Sequence, residues 1–174
     1  MTAQHNTTQH KALTVRRLRY LVDHAPSNVT AQSVAMLVAR FGLAVSFLSA
    51  VADRMGLWGP AGTGAVSWGN FNNFVGQTQA LAPYLPDSPA HSAAVAATVL
   101  ELILGLALLL GVALRWAAWG SAALLSIFGL SMAIYVDLEA PLGYSVFTAA
   151  GAAVVLALAP SNTLVWRLGS GDGR

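Results

Sequence analysis

A carboxylate stands inside an apolar run long enough to cross a bilayer. Residues 93–115 read AAVAATVLELILGLALLLGVALR, with Glu101 the only acid and Arg115 closing the run. About 20 apolar residues cross the hydrocarbon core, and a charge near the middle of such a span costs about 2.5–3.5 kcal/mol on insertion scales. A chain that keeps Glu101 at that depth must give it something to face. On a helix Glu101 shares a face with Ala94, Ala97, Thr98, Gly105, Leu108 and Val112. Small neighbours let a second helix approach closely, so Glu101 is expected to point into a bundle.

The composition agrees. Of 174 residues, 56% are apolar and 9% charged, where a soluble domain carries about 25% charge. Nine basic residues against seven acids raise the pI to about 9.4, but the cations are spread along the chain. That is an orientation signal rather than a nucleic-acid footprint. The chain has no cysteine, which excludes disulfides, thiol redox chemistry and Cys-ligated metal centres.

Four spans are expected, at about 31–54, 91–114, 116–136 and 143–159. They form a membrane domain over 31–160, between an N-terminal tail of residues 1–30 and a C-terminal tail of 161–174. The N-terminal tail carries a short basic amphipathic segment, KALTVRRLRYLV at 11–22. In the first span Arg40, Ala44, Phe47, Val51 and Arg54 share one stripe. Gly42, Ser46 and Ala50, four apart, suggest a packing face elsewhere on the same helix. The 55–90 connection is long and nearly uncharged. Its Phe71, Phe74, Val75, Thr78 and Leu81 fall at helical spacing, which predicts a helix from about Asn70 to Leu81. The fold expected is an all-α integral membrane four-helix bundle, with an interfacial or re-entrant helix in the first outer loop. Lys11, Arg16, Arg17, Arg19, Arg115, Arg167 and Arg174 fall on the side of the termini. The positive-inside rule then sets both termini in the cytoplasm, with the chain in the inner membrane.

Glu101 is the first candidate for function, and Arg40 is its expected partner, the two long side chains leaning together across different depths. Asp53 and Arg54, near the outer end, extend the polar axis toward Tyr144 and toward Trp68, Asn70 and Asn73 of the outer loop. Two readings stay open: a polar pocket for a small ligand, a quinone head group or a proton, or a buried ion pair that fixes helix register. No catalytic set is evident. The four histidines are scattered, no metal site or covalently held cofactor is indicated, and no phosphate-binding loop occurs.

The stretches ARFGLAVSFLSAVADRMGLWG at 39–59, SWGNFNNF at 67–74, TVLELILGLALLLGVALRWAAWGSA at 98–122 and LSMAIYVDLEAPLGYSVFTAAGAA at 130–153 resemble the DoxX family of small four-helix membrane proteins. Arg40, Asp53, Arg54, Glu101, Arg115, Tyr144 and Ser145 match its polar anchors. The resemblance implies a role beside quinone-linked redox enzymes. The leading expectation is therefore an accessory or quinone-linked subunit of a membrane redox system. Its partners would be the bilayer, a membrane or peripheral oxidoreductase, and a second copy of the chain. A non-enzymatic scaffold or assembly protein is the alternative, and a small transporter ranks third.

Overall fold

The computed structural model describes residues 31–160. Among them every regular element is a helix: α1 Ala31–Arg54, α2 Phe71–Leu81, α3 Asp87–Leu110, α4 Leu114–Tyr135, α5 Glu139–Gly143 and α6 Val146–Ala157. The helices α1, α3 and α4 have 24, 24 and 22 residues and are long and apolar enough to cross a membrane; α6 is a shorter apolar helix of 12 residues. The basic segment at 11–22 and the tail beyond 160 lie outside the described residues.

The chain is a multi-pass integral membrane bundle. The helix α1 packs on α3 and α6, and α4 packs on the same two, so the four helices close a ring. Residues 31 and 160 lie at one end, the terminal end. The long connection with α2 lies at the other, the loop end, where α2 rests against α1, α3 and α4. The core is built from Leu43, Ala44 and Phe47 of α1, Leu108 of α3, Ala117, Ala118 and Ala122 of α4, and Ala153, Leu156 and Ala157 of α6. So many alanines bring the backbones close. A Cβ on Gly105 would stand 3.0 Å from Leu48 Cγ and 3.3 Å from Phe47 Cβ, which marks the tightest approach of α1 to α3.

Outside this core the helices present Val38, Val45, Ile103, Leu110, Ile127 and Ile134 to their surroundings, a surface suited to lipid tails. Exposed Trp58, Tyr84, Tyr135 and Tyr144 ring the loop end, and Trp116 and Trp119 mark the terminal end. Amphipathic rings are favoured at these two levels of a bilayer.

Several boundaries differ from expectation for local reasons. The helix α3 begins at Asp87, earlier than the apolar pattern, because Pro86 occupies its N-cap and Pro89 falls in the first turn, where a missing N–H costs nothing. It ends at Leu110, with Gly111 as its C-cap, rather than at residue 114. Gly111 is left-handed, with φ 78°, and Ala113, with φ 47°, opens α4. Ser145, at φ 55°, separates α5 from α6, so the fourth span, expected at 143–159, is the 12-residue helix α6 alone, and the turn expected before it holds the short helix α5. The expected packing face of α1 is also corrected. Gly42 and Ser46 are exposed, and the stripe of Arg40, Leu43, Ala44, Phe47 and Arg54 faces the core. Leu43, Phe47 and the two arginines fill the space between helices with Ala44 among them, and Gly42 and Ser46 lie outside it.

The end of α3 explains Arg40. The last carbonyls of a helix have no intrahelical donor. Ala107 O accepts the N–H of Gly111 and Val112, while Arg40 Nε donates to Leu108 O at 2.6 Å and Arg40 Nη2 to Leu109 O at 3.1 Å. A cation there also suits the negative end of the helix dipole. A Cβ on Gly111 would lie 2.7 Å from Arg40 Nη2. Gly111→Ala therefore meets both a left-handed backbone and the guanidinium, and is expected to cost about 1–3 kcal/mol. Thermal unfolding in detergent reads this directly; an unchanged melting temperature would show that the turn is not held this way.

Candidate functional site

Glu101 is paired with Arg54, not with Arg40. Arg54 Nη2 stands 2.8 Å from Glu101 Oε1, and both residues are 2% exposed. Arg54 Nη1 donates to Thr98 Oγ1 at 3.0 Å, and the Thr98 hydroxyl in turn donates to Ala94 O one turn back. The direction of helical side chains decides the partner. The Cα–Cβ bonds tilt toward the helix N-terminus. Arg54, at the end of α1, therefore leans back into the bundle, and Glu101 on antiparallel α3 leans toward the loop end. They converge. Arg40, on the same helix, leans the same way as Arg54, but it starts about 20 Å nearer the terminal end and so leans away from Glu101 and meets the α3 carbonyls. The axis expected from Arg40 to Glu101 is thus two separate devices on one stripe of α1.

Above the pair lies an aromatic lid. The Arg54 guanidinium sits 3.5 Å from the ring centre of Phe74 and 4.9 Å from that of Trp68. The two rings meet edge to face at 5.2 Å. Cation–π contacts of this kind strengthen as water is removed, and Phe74 is the only buried residue of α2.

Asp53 holds the lid in place. Its carboxylate accepts the backbone N–H of Ser67 at 2.9 Å, of Gly69 at 2.8 Å, and of Trp68 at 3.3 Å. Three consecutive amides converging on one carboxylate fold the loop back over the end of α1. Gly69 has φ 65° and leaves no room for a side chain, since a Cβ there would lie 2.9 Å from Gly59 O. Asn70 then caps α2 by accepting from Asn73 N, and Asn73 Nδ2 donates to Trp68 O at 2.6 Å. The two asparagines fix the start of α2 and so aim Trp68 and Phe74; they do not touch the ion pair. Tyr144 is 72% exposed and stands apart from it, because the left-handed Ser145 turns the chain at that point. The sequence alone does not mark Phe74 as a site residue. Its spacing marks only a helical face, and nothing in the sequence places that face over Arg54.

Three buried polar atoms have no partner among the described residues: Arg40 Nη1, Arg54 Nε and Glu101 Oε2. No cluster of three or more His, Asp or Glu side chains able to hold a metal occurs among the described residues. What the arrangement can do chemically is hold one opposite-charge pair out of water.

The family model for methylamine utilisation protein MauE matches residues 32–140, more than half of the chain. The chain belongs to the MauE family. The DoxX resemblance is thereby corrected, since the match is to MauE and not to DoxX. The stretches that carried the resemblance are mostly Gly, Ala and Leu with a few polar anchors, a pattern that close packing of membrane helices demands of many families. The MauE match contains the whole ion pair, its lid and the Arg40 cap, and it ends before α6. No curated protein and no solved structure matches the chain.

Arg54→Met and Glu101→Leu are each expected to destabilise this MauE-family bundle by about 3–5 kcal/mol, because each strands a buried charge. The double variant should lose much less than the sum. Denaturant unfolding in micelles gives the double-mutant cycle, and additive losses would show that the pair is not coupled. Asp53→Ala should release the loop at a cost of about 1–3 kcal/mol, red-shift tryptophan emission and open residues 57–68 to protease. Unchanged emission and cleavage would contradict the lid.

Proposed function

We propose that the chain is a membrane accessory of a redox system rather than an electron carrier or an enzyme in its own right. Using methylamine as a nutrient requires electrons to be removed from it, so the name of the family model, methylamine utilisation protein MauE, supports a reading beside oxidative chemistry. The chain itself has no cysteine. The observation that carries the reading is the closed state of its charged centre: Arg54 and Glu101 are each 2% exposed beneath Trp68 and Phe74. Groups that react with a substrate need an approach, whereas groups that hold a scaffold do not.

The same reading assigns the faces. Arg54 is buried, so among the described residues the loop end has no exposed Lys or Arg, whereas Arg115 is exposed at the terminal end. Together with the cations at 11–19, 167 and 174, this supports a cytoplasmic terminal end and an extracytoplasmic loop end in the inner membrane. The loop end then offers a rim without exposed cations, with Leu57 at 74% and Tyr144 at 72% exposure beside the exposed carboxylates Asp87, Asp137 and Glu139, to an oxidoreductase on that side.

Purification from native membranes in mild detergent tests this. An oxidoreductase should co-elute, and Leu57→Asp with Tyr144→Asp should reduce co-elution by about tenfold, or about 1.4 kcal/mol. Glu101→Gln in a bundle that stays folded should leave co-elution intact. Co-elution that ignores the rim, or no oxidoreductase at all, would overturn the reading.

A further inference from the structure

The outer face of α1 carries a groove in two continuous parts. At the loop end, a chamber of about 700 Å³ lies between α1 and residues 58–68, lined by Ser46, Ser49, Asp53, Trp58, Ser67 and Trp68 among others. Below it a trough of about 650 Å³ runs along Val34, Leu37, Val38, Phe41, Gly42, Val45 and Ser46. Val45 and Ser46 line both, so the chamber opens into the trough. From Ser46 to Val34 the helix rises about 18 Å. The trough is apolar and lies on the surface suited to lipid. Small-molecule sites have volumes of about 300–1,000 Å³.

We propose that this groove is a lateral binding site for a neutral, planar-headed isoprenoid lipid of the quinone class, its head in the chamber and its tail in the trough. The chamber selects the head by charge. Its one charged lining group among the described residues is Asp53, whose two oxygens are taken by Ser67, Trp68 and Gly69 N–H. Among the described residues no Lys or Arg lines it, so a phosphate head would meet a carboxylate and no cation there. A neutral head meets no such penalty. Two indoles, Trp58 and Trp68, supply flat apolar surface. Trp58 is held by donating to Ser49 O and Oγ at 3.1 and 3.2 Å. Among the described residues the Ser46 hydroxyl makes no hydrogen bond and is exposed at the junction, placed to donate to a carbonyl oxygen. Trp68 is the wall common to the chamber and the lid, since its ring also stacks over Arg54. The site is thus beside the buried ion pair and does not contain it.

The choice of quinone rests on the redox-accessory reading; the site itself rests on the groove. Two variants block it at exposed positions. Ser46→Trp fills the junction, and Gly42→Leu fills the trough, where a Cβ on Gly42 meets nothing within 4 Å. The full chain is purified in mild detergent from quinone-containing membranes, and quinone and phospholipid are extracted and counted per chain. Wild type should retain about one quinone, and each variant, folded by circular dichroism and gel filtration, about tenfold less with phospholipid unchanged. Equal quinone in wild type and both variants overturns the site. Loss of phospholipid instead of quinone overturns the proposed head group. Quinone held in the groove without any co-eluting oxidoreductase keeps the site and removes the accessory reading; an oxidoreductase that co-elutes with quinone-free protein does the reverse.

Discussion

The Arg54–Glu101 pair is the contact on which the loop end depends. Two charges taken into a low-dielectric interior each lose several kcal/mol of hydration, and their attraction repays this only with good geometry and further hydrogen bonds. Here Thr98 takes a second Arg54 donor, and Phe74 and Trp68 cover the guanidinium face. The cover exists because Asp53 gathers three loop amides. Adjacent residues of one helix turn thus do opposite work. Asp53 turns outward and folds the loop, and Arg54 turns inward and is sealed by it. Losing either exposes the other's partner to water, so loop order and core electrostatics are one property.

The terminal end solves a different problem with the same residue type. A helix that ends within or near a bilayer cannot leave its last carbonyls to water. Arg40 supplies two donors to Leu108 and Leu109, and Gly111 allows the backbone to turn under the guanidinium. Arginine suits this because its planar fork carries several donors in fixed directions and remains charged when buried. The two arginines of α1 therefore clamp α3 at both ends of their shared interface, with Gly105 allowing close contact between them. That interface has polar contacts at its two ends and apolar packing in the middle, which pins the register of an otherwise slippery Ala- and Leu-rich pair.

Much of this was legible one helix at a time. The stripe of Arg40, Ala44, Phe47 and Arg54, and the face of Ala94, Thr98, Glu101, Gly105 and Leu108, follow from 3.6-residue periodicity. Both are buried on their helices, although Ala97 is only half-buried and Val112, expected on the same face of α3, is exposed because the helix ends before it. What periodicity omits is the relation between helices. Choosing between Arg40 and Arg54 as the partner of Glu101 requires the antiparallel offset of α1 and α3 and the lean of each side chain. Neither is encoded in spacing within one segment. The role of Asp53 was hidden for another reason. Its partners are backbone amides, which every residue has, so the loop that supplies them has no distinctive composition beyond Gly69. The family assignment failed at the same level, since small residues at helical spacing record close packing before they record ancestry.

The outward placement of Gly42 and Ser46 follows from the same economy of space. A helix has one core-facing stripe, and on α1 that stripe is filled by two arginines, Leu43 and Phe47. Gly42 and Ser46, which could have drawn another helix close, lie on the opposite side, where no helix among the described residues covers them. A furrow on a bilayer-facing surface does not stay empty, because lipid tails have no cohesive cost that would keep them out as water's does. What occupies it is then decided by the polar end of the furrow, and that end is shaped by the loop that Asp53 folds. The burial of Arg54 and the character of the outer groove trace back to a single carboxylate at the end of α1.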